Sequence, residues 1–230
     1  MKFTNGYWLL KDEMTPAYAV EYGGHTVKGD ELTVYLPGKH IAGRGDALNI
    51  PMLTVKLSTP MEGVIKVSAV HHAGALYKGP FAEITNDHPH AQITETEKCL
   101  TFASGSLRAV IDKTPNAYKL AFYEGDKFLT ESSFRNLAHM HNRETGKNYM
   151  VEQLLIDVDE YVYGLGERFT PFVKNGQTVE MWNEDGGTAS EIAYKNIPFY
   201  ITNKGYGVLV DNEGDVAYEI ASEKVERIQF

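Results

Sequence analysis

The segment Trp182–Thr188 combines residue types that could bind a polar ligand. It contains Asp185 followed by Gly186 and Gly187. A carboxylate presented in this way can accept two hydroxyl hydrogen bonds, because glycines let neighbouring groups approach without a Cβ in between. The same residues also suit a simple turn in which Asp185 accepts from its own backbone. The segment is therefore a candidate binding loop, with a turn as the alternative.

Histidine pairs and the single cysteine are the other groups with possible chemistry. His88 and His90, like His139 and His141, are spaced so that both imidazoles lie on one side of a strand. Neither pair has an evident third ligand, so the sequence predicts no metal site and no cofactor. No neighbour in sequence would activate Cys99 as a nucleophile, and we predict an inert side chain.

Short runs of β-branched and aromatic residues must position these groups. Each run is bounded by Gly, Asn, Asp or Pro, and helical periodicity is nearly absent, which predicts an all-β chain of many antiparallel strands. So many strands favour one large β-sandwich over residues 1–230, with a closed barrel as the alternative. The predicted strands are Leu32–Leu36, Leu53–Leu57, Val64–Val70, Ala91–Thr96, Leu100–Ser104, Leu107–Ile111, Tyr118–Tyr123, Phe128–Thr130, Met150–Val158, Tyr161–Gly164, Thr178–Met181, Ile197–Thr202, Gly207–Asp211, Val216–Ile220 and Val225–Phe230.

Two further segments carry specific expectations. Residues 134–147 are polar and lack a clear period, which predicts a long loop. Residues 223–230 alternate polar and apolar side chains up to the last position, so we expect the parent protein to be longer. The rings of Tyr194, Phe199 and Tyr200 are assigned to the core.

Composition excludes some classes of partner. The 230 residues include 31 acidic and 22 basic side chains, for a formal charge of -9, and no basic cluster suits nucleic acid. No apolar run is long enough to span a membrane. One cysteine and a polar start without a secretory signal predict a cytoplasmic protein.

Four ordered blocks within about fifty residues resemble the N-terminal domain of family 31 glycoside hydrolases. The Gly-Leu-Gly-Glu run at 164–167 and the Ile-Pro-Phe-Tyr run at 197–200 are similar to the family's α-glucosidases. The blocks at 175–180, 182–188 and 193–200 resemble its bacterial α-xylosidase subgroup. The resemblance is strongest over 148–230, and residues 5–10 resemble the family's opening segment.

This resemblance implies a galactose-mutarotase-like super-sandwich that precedes a catalytic (β/α)₈ barrel. Retaining glycosidases need two carboxylates roughly 5 Å apart, and in this family both come from the barrel. The 230 residues are therefore expected to be non-catalytic alone. They are expected to pack on the catalytic barrel of the same protein and to contribute a loop to a pocket for α-xylosides or α-glucosides.

The expected substrate-binding residues are Asp185, Trp182, Asn183, Gly186 and Gly187, because this loop leans over the barrel's mouth in the resembling enzymes. Trp182 either stacks on a sugar ring or fills the seam between domains, and burial of large aromatics favours the seam. Glu167 and Arg168 are predicted to support the loop, or else to form a solvated ion pair.

Two other functions stay open. An independent carbohydrate-binding module would need an exposed aromatic platform, and a sugar mutarotase would need a histidine acid and a carboxylate base within reach of the sugar. The family blocks disfavour the mutarotase. A homo-oligomer is also open, since an uncovered apolar face would favour self-association.

Overall fold

The computed structural model describes residues 1–6, 9–71, 89–184 and 192–230. These residues form nineteen β-strands and one short 3₁₀ helix, Arg44–Ala47, and none of their helices is long and apolar enough to cross a membrane. Thirteen pairs of neighbouring strands among the described residues are antiparallel. The strands are β1 Met14–Tyr18, β2 Gly24–Lys28, β3 Glu31–Pro37, β4 Met52–Ser58, β5 Lys66–Val70, β6 Gln92–Glu95, β7 Cys99–Ser104, β8 Leu107–Asp112, β9 Leu120–Glu124, β10 Lys127–Ser132, β11 Ala138–Asn142, β12 Asn148–Val151, β13 Gln153–Leu155, β14 Val162–Gly164, β15 Gln177–Met181, β16 Phe199–Thr202, β17 Gly207–Leu209, β18 Val216–Ile220 and β19 Arg227–Gln229.

The chain divides into two compact units. Residues Thr15–Val151 form one, here named the central unit, and Met1–Met14 with Glu152–Phe230 form the other, named the terminal unit. Each has a hydrophobic core of its own. The all-β, antiparallel prediction is confirmed, and the assignment of residues 1–230 to one domain stays a prediction.

The central unit is a sandwich because two sheets bury alternate side chains in one core. Strands β2-β3-β4-β5 form the first sheet and β10-β9-β8-β7-β6 the second, while β1-β11-β12 form a smaller third. Leu32, Val34 and Leu36 of β3 are buried in the same cluster as Leu100 and Phe102 of β7. Their spacing of two residues is the period of a strand with one buried face.

A buried carboxylate joins three segments of the central unit. Glu21 accepts hydrogen bonds from the backbone N–H groups of Ile41 (2.9 Å) and Asn116 (2.6 Å), and its Oε2 lies 2.6 Å from His40 Nδ1. Burial raises the pKa of the Glu21 carboxyl, but the bonds from His40, Ile41 and Asn116 and the charge of His40 outweigh it, so the pKa lies below its usual 4.5.

The prediction of a long loop over 134–147 is wrong. The structure places β11 at Ala138–Asn142, paired with β12, and Ala138, Met140 and Asn142 are buried while His139 and His141 are partly exposed. The physical reason is the period of two: alternating small or apolar residues with polar ones form a half-buried strand, even though the average composition is polar.

The terminal unit contains the candidate site and two sheets, β13-β19-β18-β15 and β14-β16-β17. Their inner faces share a core that includes Val162, Tyr200, Tyr218 and Ile228. The core assignment is therefore confirmed for Tyr200. It is wrong for Phe199 and Tyr194, which are exposed, because Phe199 lies on the opposite face of β16 and Tyr194 precedes that strand.

Candidate functional site

The predicted binding loop starts directly after β15 and is closed at its base. Asn183 forms a parallel bridge with Ala193, and the Glu184 N–H donates to the Ala193 carbonyl at 3.1 Å. The two ends of the loop are therefore neighbours. Asp185, Gly186 and Gly187 lie outside the described residues, so their predicted role stays a prediction.

Asn196 links the two ends of this loop through one amide group. Its Nδ2 lies 2.6 Å from the Trp182 carbonyl, 2.9 Å from Asn183 Oδ1 and 2.8 Å from the Ala193 carbonyl. An amide has only two hydrogens, so the three acceptors share them. We call Trp182, Asn183, Ala193 and Asn196 the loop base. Asn196 belongs to the block at 193–200, but no local pattern predicted this role.

Arg168 binds the oxygen of the Asn196 side-chain amide. Its guanidinium donates to Asn196 Oδ1, and also to the carbonyls of Glu180 at 3.2 Å and Leu165 at 3.3 Å. A guanidinium can only donate, so it fixes the orientation of the amide with Oδ1 toward Arg168 and Nδ2 toward the loop. Burial lowers the pKa of Arg168, but an arginine remains charged at neutral pH.

Glu167 contacts Lys195, in the segment that follows the loop. Its N–H donates to the Lys195 carbonyl at 3.0 Å, and its Oε1 lies 2.7 Å from Lys195 Nζ. This hydrogen bond and the charge of Glu167 raise the pKa of Lys195. Both side chains are exposed, so the ion pair contributes little to stability. The backbone bond is the stronger positional constraint.

The Gly-Leu-Gly run makes these contacts possible by close backbone approach. Gly164, Leu165 and Gly166 have φ of 109°, 70° and 86°. A Cβ at Gly166 would lie 2.1 Å from the Lys195 carbonyl oxygen and 2.9 Å from the Ile197 nitrogen. Only glycine fits there, since both the conformation and the space exclude a side chain. The run therefore places Glu167 beside Lys195 and Arg168 beside Asn196 of the loop base.

Aromatic and polar groups surround the loop base. Trp182 is 45% exposed, and its indole Nε1 donates to Glu184 Oε2 at 2.9 Å. Tyr194 is also exposed. Exposed rings beside amide and carboxylate groups suit a polyhydroxylated ligand, since rings pack on C–H faces while oxygens accept from hydroxyls. Glu184 was not among the predicted site residues, although its position beside Asp185 could have indicated it.

The described histidines outside the loop make contacts of other kinds. His139 stacks on His71 with ring centroids 4.1 Å apart, and His141 Nδ1 lies 2.9 Å from Asn148 Oδ1. Burial, then the charges of His71 and His141, lower the pKa of His139. His88 lies outside the described residues. Among the described residues, no group of three or more His, Cys, Asp or Glu side chains could hold a metal ion.

Comparison with known proteins identifies the family. The family model for the glycosyl hydrolase 31 N-terminal galactose mutarotase-like domain matches residues 54–219. The chain therefore belongs to this family of glycosyl hydrolase 31 N-terminal domains.

Two curated relatives match nearly the whole chain. The sequence is 43% identical over 230 residues to the α-xylosidase XylQ of Lactiplantibacillus pentosus, covering 100% of this chain and 30% of that protein. It is 40% identical over 247 residues to an α-xylosidase of Emericella nidulans, covering 99% and 32%. The chain thus spans less than a third of the length of these relatives.

Solved structures show the same fold. The cycloalternan-forming enzyme of Listeria monocytogenes matches with a TM-score of 0.72 at 20% identity, covering 94% of this chain and 20% of that one. The Flavobacterium johnsoniae GH31 dextranase matches with a TM-score of 0.71 at 22% identity, covering 93% and 25%. These likenesses, at 20% and 22% identity, show the shared fold.

Proposed function

We propose that this chain is the non-catalytic N-terminal domain of a retaining α-glycosidase of the α-xylosidase type. It packs on the catalytic barrel and contributes the loop at 182–188 to the substrate pocket. The observation that carries this proposal is the identity of 43% and 40% to two α-xylosidases over essentially the whole chain. The remaining two thirds of such relatives give ample length for a catalytic barrel.

The proposed division of labour follows from the chemistry of the reaction. A retaining glycosidase forms and then hydrolyses a glycosyl-enzyme intermediate with two carboxylates about 5 Å apart. We assign both carboxylates to the barrel. This domain supplies binding energy: Asp185 accepts sugar hydroxyls, and Trp182 either stacks on the sugar or packs in the seam between domains.

The contacts around Asn196 support a preorganised loop. A binding group is most effective when its position is fixed before the substrate arrives, because less conformational entropy is then lost on binding. The loop base is held from both ends by one amide, and Arg168 orients that amide. We therefore propose that Glu167 and Arg168 serve substrate binding indirectly, as supports of the loop.

The proposed substrates are oligosaccharides with a terminal α-xylosyl or α-glucosyl unit, and the proposed location is the cytoplasm. The single cysteine of the chain suits a reducing compartment.

Hydrolysis of p-nitrophenyl α-xyloside and α-glucoside tests the proposal. Activity is expected in the polypeptide encoded by the complete gene and not in the 230-residue chain. Asp185→Asn in the longer polypeptide should lower kcat/KM by about tenfold or more, as expected for loss of a charge-assisted hydrogen bond. Asp215→Asn, at an exposed position before β18, is the matched control. Hydrolysis by the 230-residue chain itself would contradict the proposal.

The exposure of Trp182 and Tyr194 favours one second candidate, an independent carbohydrate-binding module. A module of this kind binds sugar through an aromatic platform without the barrel. Calorimetric titration of the 230-residue chain with xylo- and gluco-oligosaccharides distinguishes the two. Millimolar binding that Trp182→Ala abolishes would favour the module.

A further inference from the structure

The three-stranded sheet β14-β16-β17 of the terminal unit is apolar on both faces. Val162 and Tyr200 point to the core and are fully buried, and Val208 packs against the same cluster. Antiparallel sheets with one face in water normally carry polar residues on that face. This sheet departs from the rule, since its outward strand positions carry Tyr163, Phe199, Ile201, Gly207 and Leu209.

The strand register brings these outward residues together. Tyr163 lies opposite Ile201, and Phe199 lies opposite Leu209. A Cβ at Gly207 would come within 2.6 Å of the Phe199 ring, so the ring lies across the glycine, along the surface of the sheet. The exposed Phe172 ring packs on Tyr163 with centroids 5.2 Å apart. We call Tyr163, Phe172, Phe199, Ile201 and Leu209 the outer face.

This outer face remains accessible within the terminal unit. Leu209 is 59% exposed and Ile201 45% exposed, and Phe172 and Phe199 are also exposed. Contiguous apolar groups of this kind mark interaction surfaces, because leaving them in water forgoes the stabilisation that burial would give.

We propose that the outer face is the docking surface for the catalytic domain of the same polypeptide. This inference rests on the proposed function, because that function supplies the partner. The relatives that match the whole chain are about three times its length, so a large covalently attached partner accompanies this sheet in such proteins. A tethered partner is present at high effective concentration and covers an apolar face before a second copy does.

The position of the outer face along the chain gives a second reason. Asn196 of the loop base is only three residues before Phe199, the first residue of β16. The Pro198 carbonyl between them accepts from the buried Tyr218 hydroxyl at 2.9 Å, which ties this connection to the core. Docking through the outer face therefore brings the candidate binding loop to the same partner that contains the catalytic carboxylates.

Cysteine labelling in the complete polypeptide tests this docking surface. Leu209→Cys and, as a second position, Ile201→Cys are treated with iodoacetamide, and labelling is followed on the peptide by mass spectrometry. The controls are Val158→Cys and Val225→Cys, apolar positions of the terminal unit that are 86% and 85% exposed and lie outside this sheet. All four should react at similar rates in urea.

In the native polypeptide, positions 201 and 209 should be labelled about tenfold more slowly than the controls, or slower still, because the docked face must open before it reacts. Rates equal to those of the controls would overturn the proposal. Protection that appears only as concentration rises, with a doubled mass by light scattering, would assign the face to a second copy and overturn it too. Hydrolysis of p-nitrophenyl α-xyloside by the same polypeptide is measured separately, so loss of the proposed function and loss of the docking proposal are distinguishable.

Discussion

Alanine at Gly166 should destabilise the terminal unit far more than alanine at Gly176. Both glycines have similar left-handed backbone angles, with φ of 86° and 82°. They differ in their surroundings: a Cβ at Gly166 would lie 2.1 Å from the Lys195 carbonyl oxygen and 3.1 Å from Asn196 Cα, whereas a Cβ at Gly176 would have nothing within 4 Å. The pair therefore separates the conformational cost from the steric cost.

The expected magnitudes follow from these two costs. A left-handed conformation costs a non-glycine residue about 1 to 2 kcal/mol, so Gly176→Ala should lower the free energy of unfolding by about that amount. Gly166→Ala adds an overlap with backbone atoms, which cannot rotate away, and inserting atoms into a packed site costs about 1 to 3 kcal/mol more. The total for Gly166→Ala is thus about 2 to 5 kcal/mol.

Urea unfolding followed by tryptophan fluorescence measures both variants against the unaltered chain. The difference between the two variants should be about 1 to 3 kcal/mol. A second consequence concerns the loop base: in the complete polypeptide, Gly166→Ala should raise KM for the xyloside, whereas Gly176→Ala should leave it unchanged. Equal destabilisation by the two substitutions would refute the argument that Gly166 is required by close approach to the segment at 195–197.

Three further outcomes are expected. Asn196→Ala in the complete polypeptide should raise KM about tenfold with a smaller change in kcat, measured by steady-state kinetics, because the loop would lose its link while the proposed barrel would keep its carboxylates. An unchanged KM would contradict this. Tyr218→Phe should cost about 1 kcal/mol in urea unfolding, whereas Tyr200→Phe should be neutral or stabilising, since among the described residues the buried Tyr200 hydroxyl has no hydrogen-bond partner. Glu21→Gln should lower the free energy of unfolding by about 2 kcal/mol at neutral pH. Because the folded pKa of Glu21 lies below 4.5, the stability that its carboxylate contributes is present above pH 4.5 and is lost as the pH falls through the folded pKa. The difference in stability between the variant and the unaltered chain should therefore shrink in acid.

Most strands could be predicted because their side chains alternate. Leu32–Leu36 and Leu100–Ser104 were predicted and are observed as Glu31–Pro37 and Cys99–Ser104, each with every second residue buried. The run Glu124-Gly125-Asp126 forms the turn between β9 and β10, since Glu124 pairs with Lys127 and Gly125 has a φ of 55°. A period of two and a residue that tolerates positive φ are local properties, and both are visible in sequence.

Strands at irregular positions were missed for a physical reason. Strand β1, Met14–Tyr18, includes proline, and β2, Gly24–Lys28, includes glycine and lysine, which are poor strand formers by average preference. Pairing with a neighbouring strand overrides that preference, as β2 pairs with β3 over five residues. Such pairing is a tertiary property that local composition does not encode.

The candidate site, too, could be predicted from the sequence only in part. The loop at 182–188 was predicted from its own residues and from the family resemblance. The role of Asn196 was not, because it depends on Arg168, which is 28 residues away in sequence and comes close only after the Gly-Leu-Gly run crosses the segment at 195–197. Spacing along the chain cannot reveal that encounter.

The contacts of the terminal unit connect the proposed binding loop to the proposed docking face. Gly166 lets the chain pass against residues 195–197, Arg168 then orients Asn196, and Asn196 holds both ends of the loop. Three residues later the same segment enters β16 at Phe199, part of the outer face. A displacement of β16 should therefore move the loop base, since only Ile197 and Pro198 separate Asn196 from Phe199, and the Pro198 carbonyl is anchored to Tyr218. It follows that a charged residue at Leu209, which contacts no substrate in this scheme, should weaken substrate binding along with docking, whereas the same charge at Val225 should change neither.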